Sequence, residues 1–134
     1  MYNSEISLRV RYGETDKMGY VYYGNYAEYF EVGRTEAMRN LGFSYKSFEE
    51  TGIRLPVLSY TVKYFKPAYY DDLLIIKTQI RELPQVRIRF NYETYNQDDI
   101  LINKAETTLV FISDKTGKPI AAPVNFIAKL KEFF

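Results

Sequence analysis

"RYGETDKMGYVYYGNYAEYFEVGRTEAMRNLG", residues 11–42, is the stretch whose reading decides the fold. Its first half, Gly13 to Gly24, holds glycines at 13, 19 and 24, two carboxylates (Glu14 and Asp16) and a run of tyrosines. Glycines at that density let a loop fold back on itself. The second half changes period. Tyr26, Phe30, Gly33, Ala37 and Leu41 recur at spacings of three and four, which predicts a helix over about 25–40 with one narrow apolar stripe. Gly24 or Asn25 starts that helix, and Gly42 stops it.

Working outward, strands surround the helix. Over 5–12, Ile6, Leu8, Val10 and Tyr12 alternate with Glu5, Ser7, Arg9 and Arg11, the pattern of a half-buried strand. A short helix over 44–51 is capped by Ser44 and ended by Gly52. Strand patterns then follow at 58–64, 73–83, 86–93 and 100–113, with turn chemistry between them in "KPAYYDD", "LPQ" and "NQDD". "DKTGK" at 114–118 lacks a phosphate-loop pattern and reads as a hairpin turn. The tail from Asn125 reads either as a short helix or as an edge segment. Short links predict antiparallel neighbours, so the expected order is strand, long helix, then four strands in a meander. One helix with one stripe cannot cover both faces of five strands. The expected class is therefore α+β: an antiparallel five-stranded sheet curled around one long central helix, its other face wet or covered by a second subunit. An open sheet edge also predicts a dimer.

Composition narrows the function. At 134 residues the chain reads as one domain, 1–134, and its 46% hydrophobic and 26% charged content suits a folded protein. A net charge of +1 gives no electrostatic reason to bind nucleic acid. No uncharged run suits a membrane helix, so no stable membrane insertion is expected. The start, "MYNSEISLRV", lacks a signal-peptide pattern, and together with the absence of cysteine it reads as cytoplasmic. With no cysteine there is no thiolate nucleophile or thiolate metal site. With no histidine there is no Ser-His-Asp arrangement and no imidazole acid or base. Carboxylates, lysines, tyrosines, hydroxyls and backbone groups remain.

Asp16 is the leading candidate among them. A helix N-terminus offers unpaired N–H groups and a positive dipole end, suited to an oxygen that gains negative charge. A carboxylate on a glycine-rich loop just before such an end is placed to attack a carbonyl or to orient water. The plainer reading is that Asp16 caps a turn. Glu14 is the competing carboxylate.

The same residues resemble a known family. D-x-x-G-x-V-Y-Y-x-N-Y, followed by Y-F-E and R-T-E, is the signature of the 4-hydroxybenzoyl-CoA thioesterase family of hotdog-fold proteins, which includes the YbgC-type acyl-CoA thioesterases. It falls here on Asp16, Gly19, Val21, Tyr22, Tyr23, Asn25, Tyr26, Tyr29, Phe30, Glu31, Arg34, Thr35 and Glu36. A second matching stretch is "YTVKYFKPAYYDD", residues 60–72. The resemblance implies a helix wrapped by a sheet, with dimers that join their sheets edge to edge and hold active sites at the interface. It places the catalytic aspartate at Asp16 and an oxyanion-holding backbone N–H at Tyr23, with Gly24 beside it. Many bacterial members carry histidine where this chain has Tyr23, and others carry tyrosine.

The composition and this chemistry agree. A thiol leaves as thiolate with a pKa of about 8.5 and hardly needs a proton donor, whereas an amine leaving group does. One carboxylate plus backbone N–H donors suffices for a thioester. The expected function is hydrolysis of an acyl-CoA to a carboxylic acid and CoA, with Asp16 as nucleophile or as general base. No metal or bound cofactor is expected, because coenzyme A arrives as part of the substrate. An acyl carrier protein as acyl donor, or a catalytically silent acyl-CoA binder, are the alternatives. The candidate substrate-binding residues are Tyr20, Val21, Tyr22, Gly24, Asn25, Lys63, Arg87 and Arg89. The tyrosines, Tyr26 included, either line an acyl pocket or pack in a core or interface. Lys63, Arg87, Arg89 and Lys66 either hold the phosphates of coenzyme A or form a solvated strand face. Arg34, three residues after Glu31, reads as a structural ion pair. The expected assembly is a homodimer or a dimer of dimers.

Overall fold

The computed structural model describes all residues, Met1–Phe134. Strand β1 (Tyr2–Arg9) starts and ends earlier than the alternation alone predicts. Beyond it the chain curls into a 3-10 turn at Tyr12–Glu14, because the Glu14 carboxylate and amide bond back to Arg11. Tyr12, expected to face inward, is therefore 77% exposed, while Val10 is buried. Helix α1 (Asn25–Asn40) has the expected bounds. Its whole predicted stripe is buried, from Tyr26 through Phe30, Gly33 and Ala37 to Leu41. Tyr29, Arg34 and Met38 are buried as well, so the covered face is broader than a single stripe. Gly42, at φ +91°, ends the helix in a conformation that favours glycine.

Helix α2 (Tyr45–Glu50) is capped by Ser44, whose hydroxyl accepts the Ser47 N–H at 3.1 Å. Two residues, β2 (Ile53–Arg54), pair with β7 (Ile112–Ser113) to make a small second ladder. The pattern at 100–113 thus divides into β6 (Leu101–Val110) and β7. The other strands are β3 (Val57–Tyr64), β4 (Leu73–Ile80) and β5 (Arg87–Tyr95). The tail forms α3 (Val124–Lys131), which buries Phe126 and Leu130 beside Phe43, Phe48 and Phe111.

The five long strands make one antiparallel sheet in the order β1-β4-β5-β6-β3. This corrects the expected four-strand meander: β4, β5 and β6 follow one another, but β3 lies across the sheet beside β6. The link between β3 and β4 does not turn back on itself. Apart from the Asp72 N–H, which donates to the Tyr69 carbonyl, its backbone bonds go to other segments: Phe65 and Lys66 donate to the Ile102 carbonyl, Ala68 accepts from Val21, and Asp71 and Asp72 pair with Val10. Eight residues extended span roughly 27 Å, ample to pass two strands spaced about 4.8 Å apart. That crossing carries the link past the start of α1.

One face of the sheet, carried by residues such as Leu74, Ile76, Ile88, Phe90, Tyr92 and Leu109, is buried beneath α1. Phe30 stacks on Tyr92 with centroids 4.7 Å apart, and Gly33 sits against Ile76 and Thr78. The alternate positions, among them Lys77, Arg87, Arg89, Glu93, Lys104 and Glu106, form a charged outer face. Only β3 is exposed along nearly its whole length. Arg34 does not pair with Glu31 as its spacing suggested. The helix turns Arg34 inward, where its Nε donates to the Tyr45 hydroxyl at 2.8 Å, while Glu31 stays in solvent. No helix is long and apolar enough to cross a membrane.

Candidate active site

The loop from Arg11 to Gly24 is folded by polar side chains that use the backbone. Glu14, 9% exposed, is its anchor. Its Oε1 accepts the Arg11 N–H at 2.7 Å and the Tyr29 hydroxyl at 2.9 Å, and its Oε2 accepts Arg11 Nη2 at 3.1 Å. Burial pushes this carboxyl up, but the three hydrogen bonds outweigh it and hold Glu14 below the usual carboxylate range. The Tyr29 phenol is pushed well above its usual value, first by burial and then by its bond to that carboxylate. The Glu14 carbonyl also accepts the Tyr22 N–H at 2.9 Å and Asn25 Nδ2 at 2.7 Å. This ties the loop to the mouth of α1.

Asp16 lies two residues on and is half-buried. Its N–H donates to the Tyr20 carbonyl at 2.9 Å, and its Oδ1 accepts the Met18 N–H at 2.8 Å. Gly19, at φ +87°, closes this small turn by donating to the Asp16 carbonyl at 3.0 Å. So Asp16 does cap a turn, with one oxygen. Its Oδ2 has no partner within the chain.

At the helix mouth the Asn25 and Tyr26 N–H groups already turn back onto the Tyr22 and Tyr23 carbonyls, at 2.9 and 3.2 Å. The Tyr23 and Gly24 N–H groups just before them make no hydrogen bond within the chain. Gly24 holds helical geometry at φ −63°, ψ −24° without a side-chain cap. This is the donor arrangement that suits an oxyanion.

A cavity of about 520 Å³ brings Asp16 and Tyr23 together with Met18, Tyr20, Val21, Tyr26, Tyr64, Phe65, Lys66 and Pro67. Its walls are mainly aromatic, and Tyr26 and Tyr64 pack with ring centroids 5.5 Å apart. Burial, followed by neighbouring phenols, raises both of these hydroxyls above their ordinary value, so they are neutral at physiological pH. Lys66 is the cavity's one cation and has no carboxylate within ion-pair distance.

Of the sequence-derived candidates, Asp16, Tyr20, Val21, Tyr23, Tyr26 and Lys66 line this cavity, and Tyr22, Gly24, Asn25, Lys63, Arg87 and Arg89 are outside its lining. The Tyr22 ring is exposed and lies over Gly24, tilted against Tyr23 at 4.8 Å. The Asn25 amide is turned to Glu14, away from the cavity lining. Lys63 lines a separate, polar hollow of about 310 Å³ with Lys104 and Glu106. Arg87 is exposed on the outer face, and Arg89 pairs there with Glu106 at 3.2 Å and Glu82 at 3.6 Å. Met18, Tyr64, Phe65 and Pro67 escaped the residue-by-residue reading. Their signal was the second family stretch at 60–72, which holds three of them.

Comparison with known proteins agrees with the fold. The sequence model of the thioesterase-like superfamily matches residues 10–131. The putative acyl-CoA thioesterase YneP of Bacillus subtilis is 35% identical over 120 residues, 90% of this chain and 87% of that protein. The acyl-CoA thioester hydrolase YbgC of Escherichia coli O157:H7 is 33% identical over 125 residues, 93% of each chain. The crystal structure of the DHNA-CoA thioesterase from Staphylococcus aureus superposes with a TM-score of 0.93 at 34% identity, covering 99% of this chain and 91% of that one. With its antiparallel sheet wrapped on α1 and its sequence matched almost from end to end, the chain belongs to the thioesterase-like superfamily and has the hotdog fold.

Proposed function

We propose that this protein is an acyl-CoA thioester hydrolase, converting R-CO-S-CoA and water into a carboxylic acid and free CoA. One observation carries the reading: a carboxylate with a free oxygen, at Asp16, lines the same aromatic cavity as Tyr23, whose N–H and that of Gly24 are unpaired. In this mechanism the thioester carbonyl oxygen accepts hydrogen bonds from those two N–H groups, which stabilise the charge that grows on it. Asp16 either attacks the carbonyl carbon or takes a proton from an attacking water. The tetrahedral intermediate collapses with loss of the CoA thiolate, which is stable enough to leave unassisted. Where Asp16 is the nucleophile, water then opens the resulting acyl-aspartyl anhydride to the product acid and the free Asp16 carboxylate. Neutral aromatic walls hold the acyl group and exclude bulk water. Names borne by the relatives, acyl-CoA thioesterase and DHNA-CoA thioesterase, support CoA as the acyl carrier.

The test is a thiol-release assay over short, long and aromatic acyl-CoAs, run with the native protein and with Asp16→Ala. The variant is expected to fold normally and to lose roughly 10²- to 10⁴-fold in turnover. Full activity in Asp16→Ala would refute the assignment. A single turnover in ¹⁸O-water then separates the two roles. Label found in the Asp16 carboxylate marks a covalent acyl-enzyme opened at the aspartyl carbonyl, and label confined to the product acid, with no acyl-Asp16 adduct trapped by rapid quench, marks a general base.

We also propose a homodimer formed along β3. Its residues Leu58 and Tyr64 are 52% and 46% exposed, and Tyr64 and Phe65 carry the cavity wall to that edge. Pairing there satisfies the free edge and shelters the cavity.

A further inference from the structure

We propose that Glu14 is a positioning residue for the reaction: through Asn25 and Tyr29 it sets the pair of backbone donors at Tyr23 and Gly24 against the Asp16 carboxylate. The inference rests on the hydrolase reading above and assigns work to a group that reading leaves unused. The donor pair is not part of α1. It sits on the turn before the helix, where the first helical N–H groups have already folded back onto residues 22 and 23. Its aim therefore depends on whatever holds residues 22–25. That holder is one carbonyl, of Glu14, which accepts from the Tyr22 backbone at 2.9 Å and from the Asn25 side chain at 2.7 Å.

The carbonyl is itself held. The Glu14 carboxylate is fixed by the Arg11 backbone and guanidinium on one side and by the Tyr29 hydroxyl on the other. Asn25 and Tyr29 are four residues apart on α1, so they present neighbouring side chains on one face. The clamp thus grips the first turn of the helix at both ends. Asp16 follows Glu14 by two residues, so the same anchor sets where the reacting carboxylate begins. None of Arg11, Glu14, Asn25 or Tyr29 lines the cavity. A charged group buried this deeply, in a chain that could have closed the turn with a neutral side chain, is explained by the stiffness it supplies to the donors.

A clamp that acts only on donor placement changes turnover and leaves substrate affinity alone. Asn25→Ala and Tyr29→Phe are each expected to lower kcat by about 10- to 100-fold with KM within about threefold, the scale of a donor misplaced by an ångström. Glu14→Gln, which keeps an acceptor for Arg11 and Tyr29, should retain more turnover than Glu14→Ala. A readout independent of turnover is the ¹⁵N–¹H spectrum of the whole protein with an acyl-CoA analogue in which a methylene replaces the sulfur, leaving an unhydrolysable ketone. In the native protein the Tyr23 and Gly24 amide signals move on binding, and in Asn25→Ala they do not.

Folded Asn25→Ala and Tyr29→Phe proteins with native kcat overturn the proposal. So does a fall in kcat with the amide response intact, which would mark mere loss of stability. Clamp variants that lose turnover while Asp16→Ala keeps it would uphold the clamp and remove the aspartate's role. No thiol release from any acyl-CoA, with no amide response in the native protein, would remove both.

Discussion

The Glu14 carboxylate receives three hydrogen bonds, from the Arg11 amide, the Arg11 guanidinium and the Tyr29 hydroxyl. Burial opposes its charge, yet these bonds prevail, so its pKa in the fold lies below that of the unfolded chain. The sign follows directly. Above the ordinary carboxylate range Glu14 contributes its full stabilisation, and the contribution disappears as pH falls through the lowered folded value. Thermal melts between pH 7 and pH 3 should show native protein more stable than Glu14→Gln at neutrality, with the gap narrowing below about pH 4. A gap that stays constant across that window would mean the ionised form is not what the fold recognises. The sequence presents Glu14 and Asp16 as near twins on one loop. Asp16 stood out through its place in a long motif, and the fold puts it in the cavity lining. Glu14 did not stand out, because its decisive partners, Asn25 and Tyr29, are 11 and 15 residues away and nothing local announces them. Arg34 misled for the same reason. Its spacing offered Glu31, and the fold supplied Tyr45.

Among the elements, α1 was the most legible. Its period, its start near Gly24 and its stop at Gly42 are all local properties, and each stands where the sequence puts it. Gly33 shows how close the packing is. A Cβ there would lie 2.9 Å from Thr78 Oγ1 and 3.2 Å from Ile76 Cγ2, both on the interior strand β4. Gly33→Ala is expected to push helix and sheet apart and cost about 1–3 kcal/mol, since overpacking forces backbone shifts. Urea unfolding monitored by circular dichroism measures this directly, and an unchanged midpoint would show that Thr78 and Ile76 yield freely. Strand ends were less legible. The alternation in β1 runs on through Tyr12, but side-chain bonding at Arg11 and Glu14 ends the strand first. Likewise the apolar run after β6 passes smoothly into β7, which belongs to a different ladder.

At the scale of the whole molecule, β3 is the unusual strand. It pairs with β6 on one side only and is exposed on both faces, with Val57, Leu58, Tyr60 and Tyr64 uncovered. A second copy pairing along this edge would cover them, which places the cavity wall at Tyr64 and Phe65 beside the interface. Leu58→Asp should shift the protein from dimer toward monomer in sedimentation and reduce turnover with it, whereas a native protein that sediments as a monomer would remove the assembly proposed here. Periodicity and turn residues, written into the chain position by position, sufficed to determine the class of fold, the central helix and the glycine-rich loop before it. They act between residues close in sequence, so they can be read without knowing where the chain goes next. The strand order, the passage of residues 65–72 across the helix mouth, the cavity that joins them to Asp16, and the clamp at Glu14 were decided by tertiary structure alone. Each depends on hydrogen bonds and contacts between distant segments, and strand pairing is chosen by how the whole sheet closes over its core.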